Sequence, residues 1–427
     1  MKNDASLSES LSRIFASEPD ALRDPFPVWN RLREATAVFA LGDTMLMARH
    51  SDVAKALRDK RFLSNPQGSG SQFEVVRARL NGKERVALDE VTEFEAKYVS
   101  RQNGETHARL RRIAQRAFAP QRIAALGERI SLHVEDLLRG VDQADVFDLK
   151  PFAYRLPLRV IGELLEIPLD DLEKIHVWSN ALGRNRGGTD TPILLEAYDA
   201  LREFRAYSEA MIETARVRGR RGEDSGIVGL LMDAEQEDRL TPLELTAMFV
   251  VLLFAGHETT TNLIASGIQQ LLLHNAWKEL AADPAALPGA VEELLRFVTP
   301  VQYAGRVAGE DIEWDGVRIP RGTTVFLSLA GANRDPSVFA NPDTLDVRRK
   351  DVRSHLSLGY GPHLCIGLHL ARMEGSLALA SLLRKFPDLE LASNDYRWGG
   401  HAMLRGLLDL PVQCRKSPSS NFNQQTA

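Results

Sequence analysis

The chemistry of this chain is concentrated in a glycine-rich loop around one cysteine. Residues 358–367 hold Cys365 together with Gly359, Gly361 and Gly367, and an apolar pattern with helical spacing follows directly. A cysteine just before a helix meets free backbone N–H groups and the positive end of the helix dipole, which favour a thiolate. Glycines leave room for a flat ligand against the backbone. These features predict an axial thiolate ligand for haem iron, with a buried structural cysteine as the alternative.

A second constellation lies in an apolar helix. Thr241, Pro242 and Glu244 form a capping pattern that predicts the start of this helix, and its centre is apolar all round. In that centre, Glu258 supplies an acid and Thr259 an alcohol. Burying such polar groups without hydrogen-bond partners costs free energy, and both groups can pass protons. Three- and four-residue spacing predicts that both share a face with Ala255. The alternative is an acid that bonds freed backbone groups at a kink.

The composition limits the class of protein. The chain has 427 residues, 44% of them hydrophobic, and a net charge of −5, so the basic field of a nucleic-acid binder is not expected. Only Cys365 and Cys414 are cysteines, which excludes a disulfide framework and fits a reducing compartment. We expect no signal peptide and no membrane anchor, because the longest apolar run, 247–256, is too short to span a bilayer. The expected location is the cytoplasm.

The motifs resemble those of the cytochrome P450 family, soluble bacterial type, whose thiolate-ligated haem is established chemistry. Its haem-binding signature is aromatic, Gly, any, Gly, any, His or Arg, any, Cys, any, Gly, and the matching residues are Gly359, Gly361, His363, Cys365 and Gly367. Leu358 stands where the family usually has Phe, which bears on the reduction potential rather than on the identity of the ligand. The resemblance extends over residues 26–414.

The resemblance implies a fold and a cofactor. We expect a mainly α-helical fold with small β-sheets, and haem b (iron protoporphyrin IX) between the long central helix and the helix of the cysteine loop. The expected single domain spans 20–416, with an N-terminal extension at 1–19 and a polar, disordered tail at 417–427. The irregular segment 65–103 either covers the distal side of the haem or is a solvated insertion.

The resemblance also assigns roles to residues. Cys365 is the expected iron ligand, and Glu258 and Thr259 are expected to deliver protons for O–O bond cleavage. The expected cofactor-binding residues include His107, Arg111, Arg306 and His363, which come from three separate segments and are expected to hold the haem propionates. Ala255, Gly256, Gly359 and Gly367 are the other expected cofactor-binding residues. A structural triad that holds the cysteine loop is expected from Glu293, Arg296 and Arg349. The expected substrate contacts are Leu252, Tyr303, Ala304 and Met403.

The implied activity is that of a haem-thiolate monooxygenase. It would insert one oxygen atom from O2 into a lipophilic small molecule of the terpenoid, steroid or polyketide class, by hydroxylation or epoxidation. The implied electron source is a separate ferredoxin with its NAD(P)H-dependent reductase, which we expect to dock at Arg109, Arg112 and Arg372. The alternatives are a peroxide-driven peroxygenase and a haem-based sensor or carrier without turnover. The Glu258–Thr259 pair argues against both.

Overall fold

The computed structural model describes residues 5–64, 71–139, 141, 145–185, 190–219, 226–237 and 239–414, and the expected tail at 417–427 lies outside this part. Helices dominate the described residues. In chain order the α-helices are α1 (Ala5–Phe15), α2 (Pro19–Arg23), α3 (Phe26–Ala35), α4 (His50–Ala56), α5 (Ser71–Arg79), α6 (Gly82–Glu95), α7 (Gly104–Ala117), α8 (Pro120–Ala124), α9 (Gly127–Arg139), α10 (Lys150–Leu164), α11 (Leu172–Arg184), α12 (Thr191–Val217), α13 (Gly226–Gln236), α14 (Pro242–Leu273), α15 (Ala276–Ala282), α16 (Leu287–Val298), α17 (Leu329–Ala332) and α18 (Leu368–Lys385).

The strands are short and form four small sheets. In chain order they are β1 (Phe39–Leu41), β2 (Thr44–Met47), β3 (Phe62–Leu63), β4 (Phe147–Asp148), β5 (Tyr303–Ala308), β6 (Ile312–Trp314), β7 (Val317–Ile319), β8 (Thr324–Ser328), β9 (Leu389–Leu391), β10 (Trp398–Gly400), β11 (Arg405–Leu407) and β12 (Pro411–Cys414). The largest sheet has the order β1-β2-β8-β5-β3, in which β2 and β8 are parallel and the other neighbours are antiparallel. The smaller sheets are β4-β12-β9, β10-β11 and β6-β7.

The long helix α14 begins where its capping pattern predicts. The Thr241 side chain accepts a hydrogen bond from the Glu244 backbone N–H at 3.2 Å, and Glu244 accepts one from the Thr241 N–H at 2.9 Å. Two backbone donors at the helix start are therefore satisfied reciprocally. Twenty-one of its 32 residues are buried, since α10, α12, α16 and α18 all pack against it. This confirms the prediction that the helix crosses the middle of the protein.

By length and composition α14 is the one described helix that could cross a membrane. In its most apolar 18-residue window, however, 72% of the residues are buried inside the protein. A helix at the centre of a large core needs the same apolar composition, because it is covered on every side. The apolar character of α14 is thus explained by its place in the fold.

The irregular segment 65–103 is helical over much of its described part. α5 and α6 occupy Ser71–Arg79 and Gly82–Glu95. Asn81 and Glu84 form a capping box at the start of α6. The buried face of α6, which includes Val91 and Phe94, packs in the main core beside α12. The segment is therefore more than a solvated insertion.

The N-terminal residues are also part of the packed structure, which corrects the expected extension at 1–19. Leu7, Leu11 and Ile14 of α1 are each at most 1% exposed and pack in a cluster with Trp29 and Leu46. The sequence alone shows only scattered apolar residues there, because three core positions at helical spacing make a weak pattern. The packed structure therefore includes α1.

Truncating one of these side chains is expected to destabilise the fold. Leu11→Ala removes a fully buried side chain and leaves a cavity, which lowers the free energy of unfolding by about 2–5 kcal/mol. Urea unfolding followed by circular dichroism measures the change. Ser12→Ala, on the exposed face of the same helix, is the matched control and should leave the transition where it is. Equal transitions for both variants would contradict the packing of α1.

Candidate active site

A cavity of about 400 Å³ separates the Cys365 loop from α14. The wall from α14 carries small and apolar residues, namely Val251, Leu252, Ala255, Gly256, Thr259, Thr260 and Leu263. The opposite wall is formed by the cysteine loop and α18, through Leu358, Gly359, His363, Leu364, Cys365, Ile366, Gly367, Leu370, Ala371 and Glu374. The cysteine and the central helix therefore face one space, as the sequence predicts.

The cysteine loop is shaped by its glycines and by backbone hydrogen bonds. Gly359 and Gly361 have φ angles of +75° and +72°, which side chains disfavour. The Gly359 N–H donates to the Leu356 carbonyl and the Cys365 N–H to the Leu358 carbonyl, each at 2.8 Å. A Cβ atom added to Gly367 would meet nothing within 4 Å, so this glycine borders open cavity. The loop thus holds the sulfur at a wall that a flat ligand can approach.

The electrostatics of Cys365 differ from the prediction of a favoured thiolate. Burial raises the pKa of the Cys365 thiol, and this outweighs the Gly367 N–H, Arg111 and Arg372, which act in the opposite direction. The helix start and the nearby cations therefore reduce the cost of the thiolate without removing it. A metal ligated by the sulfur would supply the missing stabilisation, because a coordinating thiol is deprotonated.

Four cationic or titratable groups meet at one edge of the cavity. The rings of His107 (α7) and His363 stack with their centroids 4.0 Å apart, and Arg111 Nη2 donates to the Leu364 carbonyl at 2.6 Å. Arg306 of β5 donates to the Gly305 carbonyl and is nearly buried. Desolvation and repulsion from the neighbouring cations lower the pKa of His363 to about 3, and desolvation with repulsion from Arg101 lowers that of Arg306 to about 10. No acidic residue among those described compensates the positive charge at this edge of the cavity.

The residues of this cavity fit a haem. Among the described residues, no carboxylate is paired with His107, Arg111, Arg306 or His363, so this edge suits a ligand with two carboxylates of its own. The walls between the edge and Cys365 are mostly apolar, as a porphyrin face requires. The thiol stands at one wall, where it can reach a metal at the centre of such a ring.

The acid and the alcohol of α14 do not face the same way, which corrects the predicted shared face. Thr259 lines the cavity, and its hydroxyl donates to the Ala255 carbonyl at 3.1 Å. Glu258 does not line the cavity: a Cβ atom added to Gly183 of α11 would lie 3.2 Å from its Oε2. Adjacent helix residues differ by about 100° in direction, so Glu258 turns towards α11 while Thr259 turns towards the Cys365 loop.

Of the four expected substrate contacts, two line the cavity and two do not. Leu252 and Ala304 line the cavity, whereas Tyr303 and Met403 do not. The Tyr303 ring packs against Phe326 with the centroids 4.8 Å apart, because successive residues of β5 point to opposite faces of the sheet. Met403 is held at the tip of the hairpin β10–β11, where its carbonyl accepts from the Gln302 N–H at 2.8 Å. Tyr303 and Met403 therefore lie outside the cavity lining, which corrects their prediction as substrate contacts.

The expected structural triad comes together behind the cysteine loop. Arg296 donates two hydrogen bonds of 2.7 Å to the Glu293 carboxylate, and Arg349 Nε donates a third at 3.1 Å. The side chains of Glu293 and Arg296 are fully buried and that of Arg349 is 5% exposed. The other donors of the two arginines bond carbonyls of Asn333 and of residues 340–344. A charged network therefore fixes the chain that precedes the loop.

Asn333 connects this network to the cysteine loop and was not among the predicted site residues. Its amide donates to Ser357 Oγ at 2.7 Å and to Thr299 Oγ1 at 2.9 Å, and its Oδ1 accepts from the Leu356 N–H at 2.7 Å. Ser357 Oγ in turn donates to the Leu295 carbonyl of α16. The only feature of the sequence that could have indicated this role is the Asn-Arg-Asp-Pro run that begins at Asn333.

Two of the three arginines expected to receive a redox partner form ion pairs with acidic residues of the protein. Arg109 forms an ion pair with Glu244 at 2.6 Å, and Arg372 donates to Glu292, which His355 also contacts. Desolvation raises the pKa of Glu292, but its bonds with His355 and Arg372 prevail and hold it at about 2. Of the three arginines, Arg112 is exposed, whereas Arg109 and Arg372 are half-buried. The predicted three-residue patch is therefore not a free basic surface.

Comparison with known proteins gives the family. The model of the Cytochrome P450 family matches residues 285–395, which contain the triad glutamate and the Cys365 loop. The chain is 34% identical over 406 residues to the polyketide biosynthesis cytochrome P450 PksS of Bacillus subtilis (strain 168), covering 92% of this chain and 96% of that one. It is 35% identical over 413 residues to the cytochrome P450 monooxygenase PikC of Streptomyces venezuelae, covering 93% and 92%.

A solved structure agrees with these relatives. Epothilone B-bound cytochrome P450epoK matches with a TM-score of 0.84 and 29% identity, covering 93% of this chain and 98% of that one. The chain belongs to the cytochrome P450 family, which carries a haem-thiolate cofactor. It is a monooxygenase of that family, and thus an enzyme rather than a haem sensor or carrier. The predicted helical fold with small sheets is confirmed.

Breaking the triad is expected to destabilise the protein strongly. Glu293→Gln keeps the shape of the side chain but leaves two buried guanidinium groups without their carboxylate, at a cost of about 3–5 kcal/mol in the free energy of unfolding. Urea unfolding measures the loss. The control is Glu279→Gln, which removes an exposed partner of Arg348 and should cost at most about 1 kcal/mol. Similar losses in the two variants would show that the triad does not hold the fold.

Proposed function

We propose that this monooxygenase binds haem b in the cavity between α14 and the cysteine loop and oxidises a lipophilic, polyketide-derived molecule in the cytoplasm. The observation that supports the proposal is the arrangement of the cavity: a thiol at one wall and an uncompensated cationic edge at one side. When bound, the haem supplies O2 activation and O–O bond cleavage. The product gains one oxygen atom from O2 by hydroxylation or epoxidation.

The residues of the cavity have distinct tasks in this proposal. Cys365 would ligate the haem iron, and the edge formed by His107, Arg111, Arg306 and His363 would bind the two propionates. Charge-assisted hydrogen bonds of this kind contribute roughly 1.5–3 kcal/mol each. The small residues Ala255 and Gly256 on one side, with Gly359 and Gly367 on the other, leave space for the ring and for O2.

Thr259 and Glu258 act on protons at different positions. The Thr259 hydroxyl faces the cavity and donates to the Ala255 carbonyl, which leaves its oxygen free to accept a hydrogen bond from a group in the cavity. Glu258 lies behind the same wall, and burial raises its pKa to about 7, so it can gain and lose a proton near neutral pH. The alcohol therefore positions the proton and the acid supplies it.

Two observations support a polyketide-derived substrate. Much of the cavity wall is apolar, with Leu252, Val301, Ala304 and Leu329 among its residues. A polyketide biosynthesis enzyme and an epothilone B-bound structure are among the similar proteins, in line with a place in secondary metabolism. A large molecule of low polarity is consistent with the apolar wall and with these similar proteins. A peroxide-driven peroxygenase has no comparable support, because the acid–alcohol pair is retained.

We propose a ferredoxin, served by an NAD(P)H-dependent reductase, as the electron donor, and a cleft beneath the cysteine loop as its docking site. The cleft has a volume of about 740 Å³, and none of its described lining residues is acidic. Lys55, Arg58 and Arg353 are exposed at this cleft. The lining also includes Leu358 and Gly359, which border the haem cavity as well. An acidic donor seated here would be close to Cys365.

The thiolate assignment is tested by exchanging each cysteine. Cys365→Ser should abolish the strongly red-shifted Soret band that the reduced carbon-monoxide complex shows when a thiolate ligates the iron. Cys414→Ser is the matched control, because Cys414 is exposed on β12 and should leave the band unchanged. Retention of the band in Cys365→Ser would overturn the proposed function.

The docking cleft is tested by charge reversal. Arg58→Glu with Arg353→Glu should slow electron transfer from a ferredoxin by about tenfold or more at low salt, since both cations attract an acidic donor. Stopped-flow reduction of the haem measures the rate, and added salt should narrow the difference between parent and variant. Arg218→Glu, at the exposed end of α12, is the control. Equal slowing in the control would argue for a general charge effect instead of this cleft.

A further inference from the structure

Asn103 lies at the start of α7, but its side chain does not cap this helix. Asparagine is among the residues best suited to the position, because its side-chain oxygen can accept a hydrogen bond from the free N–H groups of the first turn. The Asn103 side chain makes no such bond to α7. Its Oδ1 instead accepts from the backbone N–H of Ser64 at 2.8 Å, 39 residues away in the chain. The side chain therefore joins two distant segments.

Ser64 directly follows β3 and lines the cavity. It is 5% exposed, and its hydroxyl donates to the Ser100 carbonyl at 2.7 Å. β3 pairs with β5 in antiparallel register, with Leu63 opposite Val307. One position further, Ser64 is level with Arg306, because antiparallel partners run in opposite directions. The bond from Ser64 to Asn103 therefore begins beside the strand that carries Arg306.

The other end of this bond is fixed to the turn that carries His107. The Asn103 carbonyl accepts from the His107 N–H at 3.3 Å, which is the bond that opens α7. His107 and Arg111 follow on this helix, one turn apart, and both line the cavity. Asn103 thus connects the α7 part of the cavity edge, with His107 and Arg111, to the β5 part, with Arg306.

Positive charge at this junction opposes the connection. Desolvation, and to a smaller extent repulsion from Arg101, lowers the pKa of Arg306 to about 10. Arg101 forms an ion pair with Glu95 at 3.5 Å, and its carbonyl accepts from Asn103 Nδ2 at 3.5 Å. An amide suits this place, because it can accept from the Ser64 N–H and donate to a carbonyl without adding charge. A neutral side chain therefore holds segments whose arginines repel each other.

We propose that Asn103 is a positioning residue for the cofactor, which sets the spacing between the α7 and β5 parts of the edge that holds the haem propionates. The inference rests on the proposed function, because it concerns the haem which that function requires. Asn103 acts through Ser64 and through the start of α7, and it is not among the residues that line the cavity. Donors that are already in place bind a ligand more tightly, because less freedom is lost on binding.

The connection is tested first at the Ser64 amide. In the holoenzyme, hydrogen exchange followed by mass spectrometry reports how often the N–H···O bond opens in the peptide that contains Ser64. Asn103→Ala removes the acceptor, so this amide should exchange about tenfold faster, as expected for the loss of one partly buried hydrogen bond. Asn103→Asp keeps an acceptor oxygen and should exchange at the parent rate. Unchanged exchange in Asn103→Ala would overturn the connection.

The role towards the cofactor is tested by haem retention. Transfer of haem from the holoenzyme to apomyoglobin should be about tenfold faster in Asn103→Ala. The propionate bending modes in its resonance Raman spectrum should also shift, because they respond to the hydrogen bonds of the propionates. Asn103→Asp should lose haem more slowly than Asn103→Ala, since it restores the bond to Ser64. Parent-like haem transfer and Raman modes in Asn103→Ala would overturn the inference.

Two controls separate positioning from a general loss of stability. Asn81→Ala removes the equivalent residue at the start of α6, where Asn81 takes part in a capping box and does not line the cavity. Leu11→Ala removes a core side chain of α1. Both variants lower stability, and neither should shift the propionate modes. A shift in either control equal to that in Asn103→Ala would show that the modes follow stability, and would overturn the positioning role.

A failure of this inference is distinct from a failure of the proposed function. The red-shifted Soret band of the reduced carbon-monoxide complex depends on Cys365 and should persist in Asn103→Ala. If the parent protein lacks this band, the proposed function fails and the positioning role fails with it. If the parent shows the band and Asn103→Ala retains haem as the parent does, only the positioning role of Asn103 fails.

Discussion

The buried carboxylate of Glu293 is the centre on which the active-site architecture depends. A charge that is removed from water needs close partners, and Arg296 and Arg349 provide them from α16 and from a segment 56 residues further along the chain. The spare donors of both arginines bond backbone carbonyls around residues 340–344. Asn333 then carries the constraint to Leu356 and Ser357, directly before the cysteine loop. The position of Cys365 is thereby tied to a fully satisfied network.

The cavity itself has the opposite character, since no acidic residue among those described compensates the positive charge at its edge. The edge formed by His107, Arg111, Arg306 and His363 holds two arginine charges without an acidic partner among the described residues, and the Cys365 thiol is buried. Such an arrangement costs free energy in the folded chain. Binding of a dianionic, iron-containing ring offsets this cost, so haem binding and folding stability are linked. The protein is thus built rigidly around a space that its cofactor completes.

The central helix separates two functions over adjacent residues. Thr259 faces the cavity, where small side chains and the cysteine loop leave room for reacting groups. Glu258 points about 100° away, into the contact with α11. This division explains how an otherwise apolar helix can contain both an alcohol at the site and an acid outside the cavity lining. A shared face would have placed the acid in the cavity instead.

The sequence by itself determined the cysteine loop, the cap and centre of α14, and the set of cationic residues, because these depend on residue type and local spacing. Only the tertiary structure decided which way each side chain points. Tyr303 and Met403 are turned out of the cavity, and Glu258 is turned towards Gly183, by the packing of neighbouring elements.

The same dependence on tertiary contacts explains the remaining differences between the predictions and the structure. The packing of α1, the pairing of Arg109 with Glu244 and the bonds of Asn333 all join residues that are distant in the chain. Local periodicity carries no information about such partners, because each depends on how other helices are arranged. The pKa of Cys365 is a further case: the sequence shows the helix start that favours a thiolate, whereas burial, which prevails, is a property of the folded chain.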